Sequence, residues 1–245
     1  MGVLSTGRRR GGEGQVTLRA SCVRDDRGMA DHRARVRTPL LPDVALTGLV
    51  PGTLEAGVEL DGVRFTGDLR RLRAPDVRLL DCELADAAAD GAMLRGGSWA
   101  GSRWLSVGAT SVDLAGTVFR DSVWEGCRIG VAELRGAILA RVLFRGCKID
   151  YLSLRQATIT DLTIDGCTIG ELDLGEARLT RVQISGSDVT TLRLGGSRSE
   201  HVTIAGAGLP RIEGLDALRG VRVSAEQASD LAIALVVHLG GEVTG

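Results

Sequence analysis

Aromatic residues are only 3% of this 245-residue chain, and there are three histidines. Lysine occurs once, at Lys148, against 29 arginines. No run of about 18 apolar residues exists, which excludes a transmembrane helix and leaves cytoplasm as the expected location. Arg8-Arg9-Arg10 is followed by Gly-Gly-Glu-Gly rather than by an apolar segment, so no signal peptide is read there. His32, His201 and His238 lie too far apart in the pattern to form one site. HExxH, Walker A and GxSxG motifs are absent. These absences argue against an enzyme, which is kept only as a remote alternative, and no cofactor or metal is expected. The arginine bias matches a GC-rich genome of the actinobacterial kind and says little about chemistry.

What the chain does have is a beat of five. Every fifth residue from Leu79 to Leu209 is apolar except Ser199. The positions two before each, from Val77 to Ala207, are small or aliphatic. These 54 positions hold no charged residue, although charged residues are 25% of the chain. A period of five is neither the 3.6 of a helix nor the 2 of a flat strand. Two inward residues, two apart, fit a short extended segment; the remaining three must turn a corner. Four corners close a square of about 20 residues, and Gly126, Gly146, Gly166, Gly186 and Gly206 recur at that spacing. Glycine at a corner supplies positive φ cheaply. Stacked squares at the interstrand spacing of about 4.8 Å make a parallel solenoid, with seven coils spanning roughly 34 Å. Its core is a set of ladders, Trp104 over Trp124 over Phe144 on one side and Trp99 over Phe119 on the side before it.

Motifs such as Ala132-Glu133-Leu134-Arg135-Gly136 and Val112-Asp113-Leu114-Ala115-Gly116 resemble the A(D/N)LXX pattern of pentapeptide-repeat proteins. The match is good over residues 77–209 and loose over 44–65. It departs before the central Leu, where the family often has Asp or Asn and this chain often has Arg, Thr, Val or Gly. The resemblance implies a right-handed quadrilateral parallel β-helix, so the expected fold is all-β, closed by a C-terminal capping α-helix that the residues after 223 suggest. It also brings in quinolone-resistance and mycobacterial members, which mimic duplex DNA and bind DNA gyrase.

The expected organisation is a basic, disordered tail over residues 1–40, a β-helix over 41–223, and a capping helix with a short tail over 224–245. The tail carries nine Arg and four acidic residues. Met29 is an alternative start, and nucleic-acid binding by the tail is the sharper alternative to disorder. Phe65 to Leu79 is one residue short of three repeats, and the segment Asp68–Pro75 is expected to absorb the slip. That segment is either a tight coil or an excursion presenting Arg70, Arg71 and Arg73 to a partner. A second slip follows Pro210. Ser224-Ala-Glu-Gln227 reads as a capping box opening a helix to about Leu239, ended by Gly240-Gly241. A stripe through Ala228, Leu231, Ala232, Leu235 and Leu239 is expected to seal the last coil. Ile233 and Val237 fall outside it. They are either buried deeper in the monomer or form a homodimer interface, and the resemblance favours a C-terminal dimer.

Cys127, Cys147 and Cys167 share one column. They read as small buried hydrophobes rather than a metal or redox ladder. Function is therefore expected on the outer faces, as a non-enzymatic protein-interaction scaffold of unknown partner. The alternative is a DNA mimic that binds gyrase or another type II topoisomerase. Residues 41–217 hold 19 basic and 24 acidic residues, a mild acidic excess on a mixed surface.

Overall fold

Each short run of this chain alternates an inward small residue, an outward residue and an inward large one, and each run lies on its counterpart one coil earlier. The computed structural model describes residues 34–43, 46–49, 54–205 and 211–243. Among them are twenty strands, from Thr47–Leu49 to Val221–Arg222, and one helix, α1, Ala225–His238. The strands pair in parallel through the coil repeat: Phe119 with Leu139, Ile159 with Leu179, Trp104 with Trp124, Trp124 with Phe144. The result is a four-sided β-solenoid of about eight coils.

The two inward columns fill its interior. Every described position of the two columns is buried except Ser197 and Ser199, which are half-buried. Ala207 and Leu209 lie outside the described residues. Trp104 and Trp124 stack at 4.1 Å and 7°, and Phe144 follows 5.2 Å from Trp124. Trp99 and Phe119 lie 6.0 Å apart on the preceding side. The three indole N–H groups have no hydrogen-bond partner, a local cost that the ring packing must offset. Three small polar residues of the inward columns are satisfied within them: Ser102 and Ser122 share a 2.8 Å hydrogen bond, and Thr117 donates to the Leu94 carbonyl.

Glycine serves the corner that the twenty-residue spacing predicted: Gly126, Gly146, Gly166 and Gly186 have φ of 64, 58, 60 and 55°. Another corner column reaches the same conformation without it. Asp81, Asp121, Arg141, Asp161, Arg181 and His201 all have φ between 50 and 62°, and Gly101 in the same column has 63°. Left-handed backbone costs a non-glycine residue about 1 kcal/mol, so this column needs compensation from its side chains.

The first register slip is not where the sequence suggested. Phe65 pairs with Leu84 but Gly67 with Ala87, so the bulge lies in the strand before Asp68. The left-handed residues Gly67 and Asp86 flank it. Residues 68–75 then form an ordinary coil side, with Leu69 and Ala74 buried and Arg73 bridging Met93. The second slip falls between the pairs Arg193–Glu213 and Val202–Val221, at a 3-10 turn over Leu215–Ala217. No helix among the described residues is long and apolar enough to cross a membrane.

Candidate interaction surfaces

With the interior closed, chemistry is left to the outward columns, the ends, and whatever lies against them. Some of the outward acids meet an arginine from a neighbouring coil. Arg141 grips Asp121 and Arg181 grips Asp161, each through two nitrogens. Arg95 pairs with Asp113, Arg155 with Asp173 and Glu176, and Arg193 with Glu171 and Glu213. Arginines therefore interleave with acids along these described columns.

One side carries an added layer. Residues 34–43, most of which the sequence assigned to a disordered tail ending at residue 40, lie along the solenoid. The Arg37 amide donates to Asp161 Oδ1 at 3.0 Å, the Leu40 amide to Asp121 Oδ1 at 2.9 Å, and Arg103 to the Pro42 carbonyl at 2.8 Å. The physical reason is the left-handed corner column, whose carboxylates supply acceptors that the segment's amides can reach. Burial pushes Asp161 up, but the Arg181 hydrogen bonds, the Arg37 amide and the Arg181 charge hold it below the usual carboxylate range. Arg141, with the Leu40 amide, does the same for Asp121. Beside these anchors Val123 and Leu143 occupy an outward column, yet each is only 9% exposed. The sequence held a signal for this surface, the forty-residue spacing of Asp81, Asp121 and Asp161. Residues 1–33, including Met29, His32 and the basic stretch, lie outside the described residues.

Arg70, Arg71 and Arg73 are exposed on their regular coil side. They do not form an excursion, because the slip is absorbed earlier. Arg70 is bound by Asp68 at 2.6 Å, and Arg73 reaches the Met93 sulfur.

At the other end, Ser224 caps α1 as a full capping box with Gln227. The helix buries a narrower line than the expected stripe. Gln227 and Leu231 are buried and Leu235 half-buried, while Ala228, Ala232 and Leu239 are exposed. Leu231 lies outside the continuous core. Ile233 is 59% and Val237 60% exposed, which removes the alternative that they pack within the monomer. Ser197, Arg198, Ser199, His201, Arg219 and Arg222 line a recess of about 590 Å³ at the last slip.

No cluster of three His, Cys, Asp or Glu side chains able to hold a metal occurs among the described residues. His201 stands 3.5 Å from Glu200, and His238 is exposed at the end of α1. Cys82, Cys127, Cys147 and Cys167 are free and buried. Burial pushes the Cys82 thiol up, and its hydrogen bond with Cys127 pushes the Cys147 thiol up to about 12.

The coil geometry defines the class: a four-sided parallel β-solenoid built on a five-residue repeat. No family model matches the chain, and no curated protein does. Among solved structures it is similar to QnrB1, a plasmid-mediated fluoroquinolone resistance protein. The full-length QnrB1 structure is 15% identical, with 78% of this chain and 97% of that chain covered and a TM-score of 0.27. A trypsin-treated form is 16% identical, with 78% and 99% covered and a TM-score of 0.25. HetL, a pentapeptide-repeat protein involved in heterocyst differentiation regulation in the cyanobacterium Nostoc, is 14% identical, with 71% and 93% covered and a TM-score of 0.19. The fold assignment stands on this chain's own ladders, not on these likenesses.

Proposed function

We propose that the protein is a non-enzymatic interaction scaffold that recognises a protein partner through its outward columns. One observation carries this reading: the inward columns are filled by the chain's own side chains, so binding must occur outside. Small-molecule sites are usually concave and mostly apolar, and the solenoid's interior offers no such volume. The interleaved Arg and acidic columns weigh against the second reading, DNA mimicry directed at gyrase. A mimic steers itself into a basic groove with a field of one sign, and here arginines one coil away pair with Asp113, Asp121, Asp161, Glu171 and Asp173.

Crosslinking in the native cell, followed by mass spectrometry, tests the reading. A protein captured in constant ratio is the expected result; recovery of no partner contradicts it. A gyrase supercoiling assay separates the alternatives: no inhibition at equimolar protein is expected, and inhibition would favour the mimic. We also propose a homodimer through Ile233 and Val237, supported by their exposure on an otherwise apolar helix surface.

A further inference from the structure

The left-handed corner column and the segment lying on it share a spacing. Parallel strands lie about 4.8 Å apart, so Asp121 and Asp161, two coils apart, are separated by roughly 9.6 Å. The amides that reach them belong to Arg37 and Leu40, three residues apart. A polyproline-II strand has three residues per turn and rises 3.1 Å per residue, about 9.3 Å per turn. One turn of such a strand therefore matches two coils.

The sequence of the segment favours that conformation. Arg37-Thr-Pro-Leu-Leu-Pro42 places Pro39 and Pro42 three residues apart. Proline fixes its own φ near −65°, and it pushes the residue before it, Thr38 or Leu41, into the extended region. The amides at 37 and 40 then fall one turn apart on the same side, toward the carboxylates. Exposures follow that interval as far as Leu40: Arg37 and Leu40 are exposed, Leu40 by 73%, while Val36 and Pro39 are half-buried; beyond it Leu41 is half-buried and Pro42 exposed. The two acceptors are held in place by Arg141 and Arg181, whose forks each occupy both carboxylate oxygens. Asp81 continues the forty-residue series, and no amide of residues 34–43 is bonded to it.

We propose that this side of the solenoid is a docking surface for extended, proline-spaced polypeptide, occupied in the free chain by residues 37–42. A partner segment with proline at every third residue, and a free amide at the same interval, displaces the resident one. The inference rests on the interaction-scaffold reading and names its partner's chemistry. Self-occupation makes the surface selective, because a tethered segment competes at an effective concentration in the millimolar range.

The test uses the full chain and a labelled peptide of its own sequence, residues 35–43. Pro39→Gly with Pro42→Gly loosens the resident segment without touching the solenoid. This variant should bind the peptide at least tenfold more tightly than wild type. Adding Asp121→Ala and Asp161→Ala should weaken that binding at least tenfold. So should N-methylation of the peptide at Leu40, which removes one donor and leaves every side chain in place. Circular dichroism and a cooperative thermal transition check that each variant is folded. Absence of binding by the folded, loosened variant would overturn the proposal. Equal binding of the N-methylated peptide would overturn it too, since apolar adhesion alone would then explain the contact. If crosslinking finds a cellular partner while the peptide does not bind, this inference fails and the scaffold reading survives.

Discussion

The middle coils and the C-terminal end obey different rules. Between Val77 and Leu194 every inward residue is backed by an equivalent one coil away, and all are buried. After it the columns change to Ser197 and Ser199, whose hydroxyls find no partner. The next coil is a residue short and crosses a 3-10 turn, and α1 leaves Ile233, Val236, Val237 and Leu239 exposed. Repetition makes an interior self-sufficient, because each coil supplies the surface the next one needs. It cannot finish itself. Where it stops, or where one outward column gathers acceptors, the chain has unmet surface available for recognition.

The largest effect should come from breaking the interior. Ile164→Asp places a carboxylate in a fully buried position with no partner, at a cost of about 4 kcal/mol or more. A stable, soluble variant in a chemical denaturation series would contradict the ladder. Trp124→Ala should come next, at about 3–5 kcal/mol. Trp124→Phe should cost much less, about 1 kcal/mol, because it removes an unsatisfied indole N–H along with part of the ring stack. Both variants lack the indole N–H, so comparison of the two midpoints measures what the aromatic ring contributes.

The end should behave in the opposite way. Ile233→Glu with Val237→Glu should leave the melting temperature within a few degrees of wild type and convert a dimer to a monomer by light scattering. A wild type that is monomeric at micromolar concentration would end the dimer proposal.

The anchored segment should respond to acid. Asp121 and Asp161 have folded pKa values below the ordinary carboxylate value of about 3.9. Their contribution is therefore complete above that value and is lost as pH falls through the depressed folded values. Proteolytic susceptibility of residues 34–43 should be unchanged from neutrality down to about pH 4 and rise below it. The smallest expected effect is that of removing residues 1–28, which should leave the melting temperature unchanged. A fall of several degrees would mean that they support the solenoid.

The interior was legible because burial acts on every fifth residue and leaves a column without charge. The capping box was legible because Ser224 and Gln227 sit three apart beside an apolar run. The docking of α1 was not: its stripe includes Ala228, Ala232 and Leu239, whose apolar character does not reveal which line finds a partner. The first slip was placed too late because Asp68–Pro75 looks irregular in composition, while its inward residues Leu69 and Ala74 keep the beat. The docked segment was hidden for a different reason. Its bonds come from backbone amides, which leave no side-chain signature, and its acceptors stand forty residues apart, outside the range of a local motif.

Amide hydrogen exchange on the full-length protein near neutral pH tests the account most directly. Ladder amides between 118 and 205 should exchange only through global opening, with the outer turns of α1 exchanging far sooner. Arg37 and Leu40 should be protected while Thr38 between them is not. Ladder amides that exchange as fast as α1, or a segment 36–42 with no protection at Arg37 and Leu40, would contradict a self-filled solenoid with a docking surface along one corner.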